Sequence, residues 1–277
     1  MKNTLTLFFL LVLASSFGQK INLKTDNPLL LQLSMNGTID DDSPLNLQTF
    51  SLNLIAAPDK NNNKNGALSF ENNGSIQIEN SAEFRNMQTF SLCSWIYLTS
   101  FSSHGNIFSK ASPGRDFNLQ IIETGQVNFH FYDEYYYHWY SKTKLDLNKW
   151  YHIALVFNKN TVELFINGKM AETNTFFPDT YNKRTPFYKK IKWEGNEFFI
   201  GNLNQSSYEF FPGYLDDVRL YEKALTAKEI TSLILSKDSE KNKKYPLNFT
   251  YKEIEIIQGP KENVYESIEM NPPAKNR

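Results

Sequence analysis

Along much of the chain apolar and polar residues alternate, the period-two pattern of β-strands with one buried face. Gly66-Ala67-Leu68-Ser69-Phe70 and Ser75-Ile76-Gln77-Ile78 flank Asn72-Asn73-Gly74, which reads as a hairpin turn. Thr89 to Leu98 carries apolar residues on both parities, as expected of a central strand in a packed sheet. Phe117–Ile122 and Val127–Phe131 surround Thr124-Gly125. Tyr151–Asn158 and Thr161–Ile166 meet at Asn158-Lys159-Asn160, Asn167-Gly168 makes the next tight turn, and Glu197–Gly201 and Gly213–Tyr221 complete the set. The single expected helix opens on Thr226-Ala227-Lys228-Glu229, a capping box, and continues through Ile230, Leu233, Ile234 and Leu235. Many short strands at this spacing predict an all-β fold, a two-sheet antiparallel β-sandwich (jelly roll) with one short C-terminal helix.

The ends divide the rest. Lys2, then the apolar run Leu5–Ala14, then Ser16-Phe17-Gly18, has the order of a secretory signal peptide over residues 1–18, cut before Gln19. About ten apolar residues are too few to cross the ~30 Å hydrocarbon layer, so no membrane span is expected. The organisation read from this is a lead-in over 19–28, the sandwich over 29–236, and a polar linker and weakly ordered tail over 237–277. The mature chain is expected to be secreted, whether extracellular, periplasmic or at the cell surface. Within the tail, Asn248-Phe249-Thr250 is a glycosylation acceptor only in a eukaryote.

Composition narrows the partners. With 29 Lys plus Arg against 30 Asp plus Glu, the chain has no basic excess, so nucleic acid and anionic membranes are poor partners. The sole cysteine, Cys93, has no internal disulfide partner and reads as a buried inert thiol. Twenty-two Phe, 15 Tyr and 4 Trp are enough for a large core without staples.

Three segments, in order, resemble the laminin G-like or concanavalin A-like lectin/glucanase superfamily in its pentraxin-like secreted form. Phe90-Ser91-Leu92-Cys93-Ser94-Trp95-Ile96 is similar to that family's central strand. Asn148 to Phe157, running through Val162 to Lys169, is similar to its "W-x-H-hydrophobic-A … N-G-K" hairpin. Phe199-Ile200-Gly201, Gly213 to Tyr221 and Ala224-Leu225-Thr226 are similar to its ending. The resemblance spans about Leu29 to Leu235, and Trp95 and Trp150 are the expected anchors of the two-sheet core.

The resemblance also implies a structural Ca²⁺ near the last long strand. By alternation Asp216 shares the parity of Val218 and Leu220, a core-facing side where a carboxylate needs a partner, while Asp217 faces the other way. The implied ligands are Asp216 with Asn36, Asp40 and Asp42 from the 35–44 loop, rich in hard oxygens. That loop departs from the family's form in detail. The alternative is a solvated acidic turn, with Asp216 paired to Arg219 or to backbone amides. His152 invites an acid-base role, yet on a strand of core aliphatics it reads as a structural histidine.

Enzymes of this fold place alternate carboxylates on a concave strand, a retaining pair lying ~5 Å apart. No Glu here begins such a cluster, and G-x-S-x-G, H-E-x-x-H and phosphate loops are absent from the sequence. A non-catalytic, lectin-like carbohydrate binder, feeding a polysaccharide-degrading system, is therefore the leading expectation. A protein-binding adhesion or matrix module is the second, and a glycan-active enzyme with a non-standard site the third. The aromatic run Tyr132-Asp133-Glu134-Tyr135-Tyr136-Tyr137-His138-Trp139-Tyr140 reads as a loop and the start of a strand. Its candidate ligand contacts are Tyr132, Asp133, Tyr135, Tyr136, His138 and Trp139, joined by Arg115 and Asp116 from the Pro113-Gly114 turn. Flat rings stack on sugar C–H faces while polar groups meet hydroxyls. Tyr137 and Trp139 have an alternative reading as core or cross-strand residues.

Overall fold

A computed structural model describes residues 28–79, 84, 87–110, 117–133, 135–176, 198–203 and 209–236, without the side chains of 132, 133, 135 and 136. The expected signal peptide, nearly all of the expected lead-in, the expected linker and tail, and Arg115 and Asp116 lie outside the described residues. The strands are β1 (Leu29–Leu33), β2 (Thr49–Leu52), β3 (Ile55–Ala57), β4 (Ala67–Ser69), β5 (Ser75–Ile78), β6 (Thr89–Leu98), β7 (Gly105–Lys110) and β8 (Phe117–Ile121). They continue with β9 (Gln126–Asp133), β10 (Tyr135–Lys144), β11 (Trp150–Asn158), β12 (Thr161–Ile166), β13 (Lys169–Thr175), β14 (Phe198–Ile200) and β15 (Gly213–Tyr221), before the helix α1 (Ala227–Leu235).

They form two antiparallel sheets. The first runs β13-β12-β11-β6-β15-β4-β3, with β1 also pairing with β15, and the second runs β10-β9-β8-β7-β14-β5-β2. Between them lies a core of phenylalanines that the alternation points inward. Phe90 meets Phe117 at 5.8 Å and Phe157 at 5.2 Å, and Phe131 meets both Phe129 and Phe157 at 5.5 Å. Trp95 and Trp150 are not the core anchors expected of them. Trp95 belongs to the odd-numbered residues of β6, which face away from the core, where it packs edge-on against His152. Trp150, opposite Tyr97 in register, packs against that ring.

The outer face of the first sheet is partly closed by α1 and the residues just before it, which bury Ile230 and Leu225 against Cys93, Ala154, Val156 and Phe165. Burial pushes the Cys93 thiol up to about 12, so it remains protonated and unreactive. The helix begins with the expected capping box, Thr226 accepting from the Glu229 amide and Glu229 accepting from that of Thr226.

Turn chemistry matches the backbone at Gly125 (φ 77°), Lys159 (φ 60°) and the Asn167-Gly168 pair (φ 51° and 78°). The Asn72-Asn73-Gly74 turn differs: β4 belongs to the first sheet and β5 to the second, so this is a corner between sheets and not a hairpin. Gly74 is required there because a Cβ would lie 2.7 Å from the Phe70 Cα. The aromatic run likewise is no loop. It is the tip and far arm of a hairpin, Tyr136 opposite Tyr132, Tyr137 opposite Phe131 and His138 opposite His130.

β15 corrects the reading of the paired aspartates. Its register against β6 shifts between Asp216 and Arg219, with Asp217 at φ 51°. This β-bulge slips the alternation by one residue. Leu215, Val218 and Leu220 all reach the core, while Asp216 aligns with outward-facing Trp95. Asp217 pairs at 3.0 Å with Arg219, a residue aligned with the outward-facing Cys93. Both carboxylates therefore lie on the outer side of the sheet.

Candidate functional site

The second sheet turns a different face outward. On β8 and β9, Phe117, Leu119, Ile121, Val127, Phe129 and Phe131 point into the core, so Asn118, Gln120, Asn128 and His130 point away from it. Asn106 and Ser109 of β7 align with Gln120 and Asn118. All six are buried, from 0% exposure at Asn106 to 5% at His130. The chain near β14 lies over β7, where Asn106 Nδ2 donates to the Glu209 carbonyl (2.8 Å) and Ser109 Oγ to the Asn202 carbonyl (2.6 Å).

This polar floor is organised by a short relay. Asn128 Nδ2 donates to the Trp139 carbonyl (3.1 Å), and Gln120 Nε2 donates to Asn128 Oδ1 (2.7 Å). His130 Nδ1 lies 3.3 Å from the same oxygen. Other atoms are left unmet by the protein: Asn106 Oδ1, Asn118 Oδ1, Gln120 Oε1 and both polar atoms of Asn202. Buried amide groups without a partner cost about 1–3 kcal/mol each, so such a row calls for a partner from outside the described protein atoms, water or ligand.

Toward β10 the floor opens. His138 and Tyr140 are exposed, their rings stacked at 6.3 Å, and His138 packs on His130 at 5.1 Å. Trp139, of the opposite parity, is 9% exposed and sits in the core, so its ring is not a ligand platform. Tyr137 also packs there, stacked on Phe131 at 5.0 Å. Tyr132, Asp133, Tyr135 and Tyr136 are placed by backbone alone, at the hairpin tip. The residues that sequence reasoning missed are the amides of β7 and β8. Their alternation, Asn118-x-Gln120 and Asn128-x-His130, was visible in the sequence but looks the same as an ordinary solvent face.

His152 is no acid-base group. It is buried, and desolvation, reinforced by Arg219 and Lys60, lowers its imidazole to about 3. The Lys60 ammonium lies 4.9 Å from the centroid of the neighbouring Trp95 ring.

The residues proposed for Ca²⁺ are Asp216, Asn36, Asp40 and Asp42. Among the described residues no group of three or more His, Cys, Asp or Glu side chains is placed to hold one. In the 35–44 loop the buried carboxylate is Asp41. It accepts from the Gln32 and Ser43 amides at Oδ1 (3.0 and 2.9 Å), and from Ser43 Oγ and the Leu47 amide at Oδ2 (2.8 and 2.9 Å). Asp42 accepts from Ser34 Oγ (2.8 Å), and Asp40 is exposed. Four protein donors thus do for Asp41 what a cation would do.

A two-sheet sandwich with a polar outer face and an aromatic margin defines a lectin-like jelly roll. The family model for the concanavalin A-like lectin/glucanases superfamily matches residues 69–231, more than half of the chain, and the protein belongs to that family. By sequence, no curated protein matches significantly. Among solved structures the chain is similar to domain 4 of AbnA, an extracellular arabinanase from Geobacillus stearothermophilus, solved with arabinotriose. The identity is 19% and the TM-score 0.59, over 76% of this chain and 99% of that one. It is also similar to botulinum neurotoxin type C, whose cell entry depends on two ganglioside molecules (16%, TM-score 0.52, 74% of this chain and 50% of that one). The binding domain of Paraclostridial Mosquitocidal Protein 1 is a third (17%, TM-score 0.53, 75% and 52%). This chain spans about half the length of the latter two chains.

Proposed function

We propose that this is a secreted, non-catalytic carbohydrate-binding protein whose glycan lies along the outer face of the second sheet. The observation that carries the reading is the row of buried amides with unmet oxygens, ending in the exposed His138–Tyr140 pair. Hydroxyls complete the amides, and sugar C–H faces lie against the rings. Tyr132 and Tyr136, paired across the same hairpin, are assigned to the same margin with Asp133 and Tyr135 at its tip; Arg115 and Asp116, named with them from the sequence, lie outside the described residues. Arabinotriose bound to the similar arabinanase domain and the gangliosides on which the similar neurotoxin depends support a glycan ligand. Secretion rests on the signal-like residues 1–18, and an accessory role beside polysaccharide-degrading enzymes on the likeness to an arabinanase domain. The strand residues of β7, β8 and β9 through Phe131 include no Asp or Glu, so these strands offer no carboxylate pair for glycoside hydrolysis.

A glycan array on the mature protein tests this. Saturable binding that weakens about 10-fold or more in both Asn118→Ala and Tyr140→Ala is expected. Binding to no glycan, with capture of a secreted protein by the exposed Phe50, Leu52 and Ile55 edge, would favour the adhesion-module reading instead.

A further inference from the structure

The strand orders of the two sheets end in β13 and β10 on one side of the sandwich, and in β3 and β2 on the other. The first side is defended. β13 carries Lys169 and Glu172, and β10 carries Lys142 and Lys144. The Glu172 carboxylate accepts from the backbone amides of Lys142 (2.8 Å) and Thr143 (2.6 Å), so these two edges are tied to each other. Charged side chains and a covered edge are the usual guards against pairing with another chain.

The second side has no such charges. From Ser43 to Pro58 the chain holds no Lys, Arg, His, Asp or Glu. Phe50 and Leu52 of β2 are 44% and 39% exposed and Ile55 of β3 is 54% exposed, three of the seven exposed large hydrophobics among the described residues. Thr49 and Ser51 align with the core-facing Ile78 and Ile76 of β5, so Phe50 and Leu52 point to the outer face of the second sheet, the face of the polar floor. A neutral edge offers a charged partner no ion pair, and it meets a second copy of itself without like-charge repulsion.

We infer that β2 pairs antiparallel with β2 of a second copy of this chain, joining the two second sheets into one. A two-fold axis normal to the sheet sets outer-facing residues opposite outer-facing residues. The register centres on Ser51, with Phe50 opposite the partner's Leu52 on each side of the axis, an aromatic–aliphatic cross-strand pair made twice. Thr49 is already engaged, its Oγ1 donating to the Ile39 carbonyl (2.9 Å), which disfavours a centre at Phe50. Both outer faces then turn to the same side of the dimer, their β8 strands about 40 Å apart at the usual strand spacing. The pairing stands on the edge alone; the bivalent grip on a glycan surface that it would give rests on the outer face being the carbohydrate site.

Sedimentation velocity over a range of concentrations tests the pairing, with thermal unfolding as the control for folding. Wild type should sediment as a dimer, and Phe50→Lys and Leu52→Lys should each weaken dimerisation about 100-fold with Tm unchanged. Ser51→Cys sets two thiols across the axis with Cα atoms about 4.5–5.5 Å apart, within disulfide reach, and should give a covalent dimer on mild oxidation. Cys93 is buried and does not compete. A wild type that stays monomeric at about 100 μM, or a dimer indifferent to both lysines, would overturn the interface, and failure of Ser51→Cys to cross-link would overturn the register. Release from immobilised glycan addresses bivalency separately: wild type should leave about 100-fold more slowly than Phe50→Lys. Equal rates would overturn the bivalent grip, whereas a lysine-sensitive dimer that binds no glycan would confirm the interface and overturn the carbohydrate reading.

Discussion

His152 offers a measurement in which the fold, not the ligand, is on trial. The imidazole is buried against Trp95, its Nδ1 meets no partner, and the cations Arg219 and Lys60 oppose its protonation. Asp217 is paired with Arg219, and the outward Asp216 lies on the same side of the sheet. Folding therefore lowers the imidazole from 6.5 to about 3. Between those values the unfolded chain binds a proton that the folded chain refuses, so stability falls as the pH drops below the unfolded value. The slope approaches about 1.4 kcal/mol per pH unit, and from about pH 7.5 to about pH 5 the loss integrates to roughly 2 kcal/mol. Urea denaturation followed by tryptophan fluorescence at the two pH values measures it. His152→Gln removes the titrating group while keeping a polar side chain, and the difference of differences cancels every carboxylate common to both proteins. The variant should lose about 2 kcal/mol less than wild type over this interval. If the two change equally, within about 0.5 kcal/mol, the imidazole charges freely in the folded protein and the burial argument is wrong.

Adjacent residues of β10 should behave oppositely. Trp139→Ala, emptying a core position, is expected to cost about 3–5 kcal/mol in urea denaturation. Tyr140→Ala, at 50% exposure, should cost under about 1 kcal/mol and show instead in glycan calorimetry. Asp41→Asn strands part of a four-donor shell and is expected to destabilise by about 3 kcal/mol, with or without EDTA. Ca²⁺ added to EDTA-treated protein should leave Tm unchanged, whereas a rise of several degrees would show that the 35–44 loop and Asp216 bind it. Gly201→Ala should cost about 3 kcal/mol or more by the same denaturation assay, since φ is 77° and a Cβ would fall 1.9 Å from the Phe70 ring.

What could be read in the sequence divides along a physical line. Alternation and turn chemistry are local, so β6, the β8–β9 and β11–β12 hairpins, the Asn167-Gly168 turn and the helix cap were all legible from residues a few positions apart. Sheet membership is not local. Asn72-Asn73-Gly74 has the residues of a tight turn whether its arms pair or part, and only the partners of β4 and β5 decide that they part. The bulge at Asp217 is of the same kind. One extra residue in β15 reverses the facing of everything before it, and counting parity back from Leu220 put Asp216 in the core. Burial misled in the other direction for tryptophan. Trp95 and Trp150 are the largest side chains on their strands, yet size does not choose a face, and the smaller Phe90, Leu92 and Ile96 on the opposite parity fill the core.

The two outer faces decide where a ligand belongs. On the first sheet the protein supplies its own partners: α1 covers Cys93 to Phe165, Arg219 meets Asp217, and Lys60 lies over Trp95. On the second sheet the amide nitrogens of Asn106, Gln120 and Asn128 are bonded within the protein, while several buried amide atoms, Asn202 Nδ2 among them, are not. Both faces alternate polar with apolar, so composition does not separate them. The separation lies in the direction of single amide groups, fixed by the Trp139 and Glu209 carbonyls, which approach from β10 and from the chain beyond β14. Replacing Asn128 with Leu should therefore release Gln120 to rotate and weaken glycan binding by calorimetry, while leaving the aromatic margin in place. An affinity unchanged from wild type would show that the relay does not set the orientation.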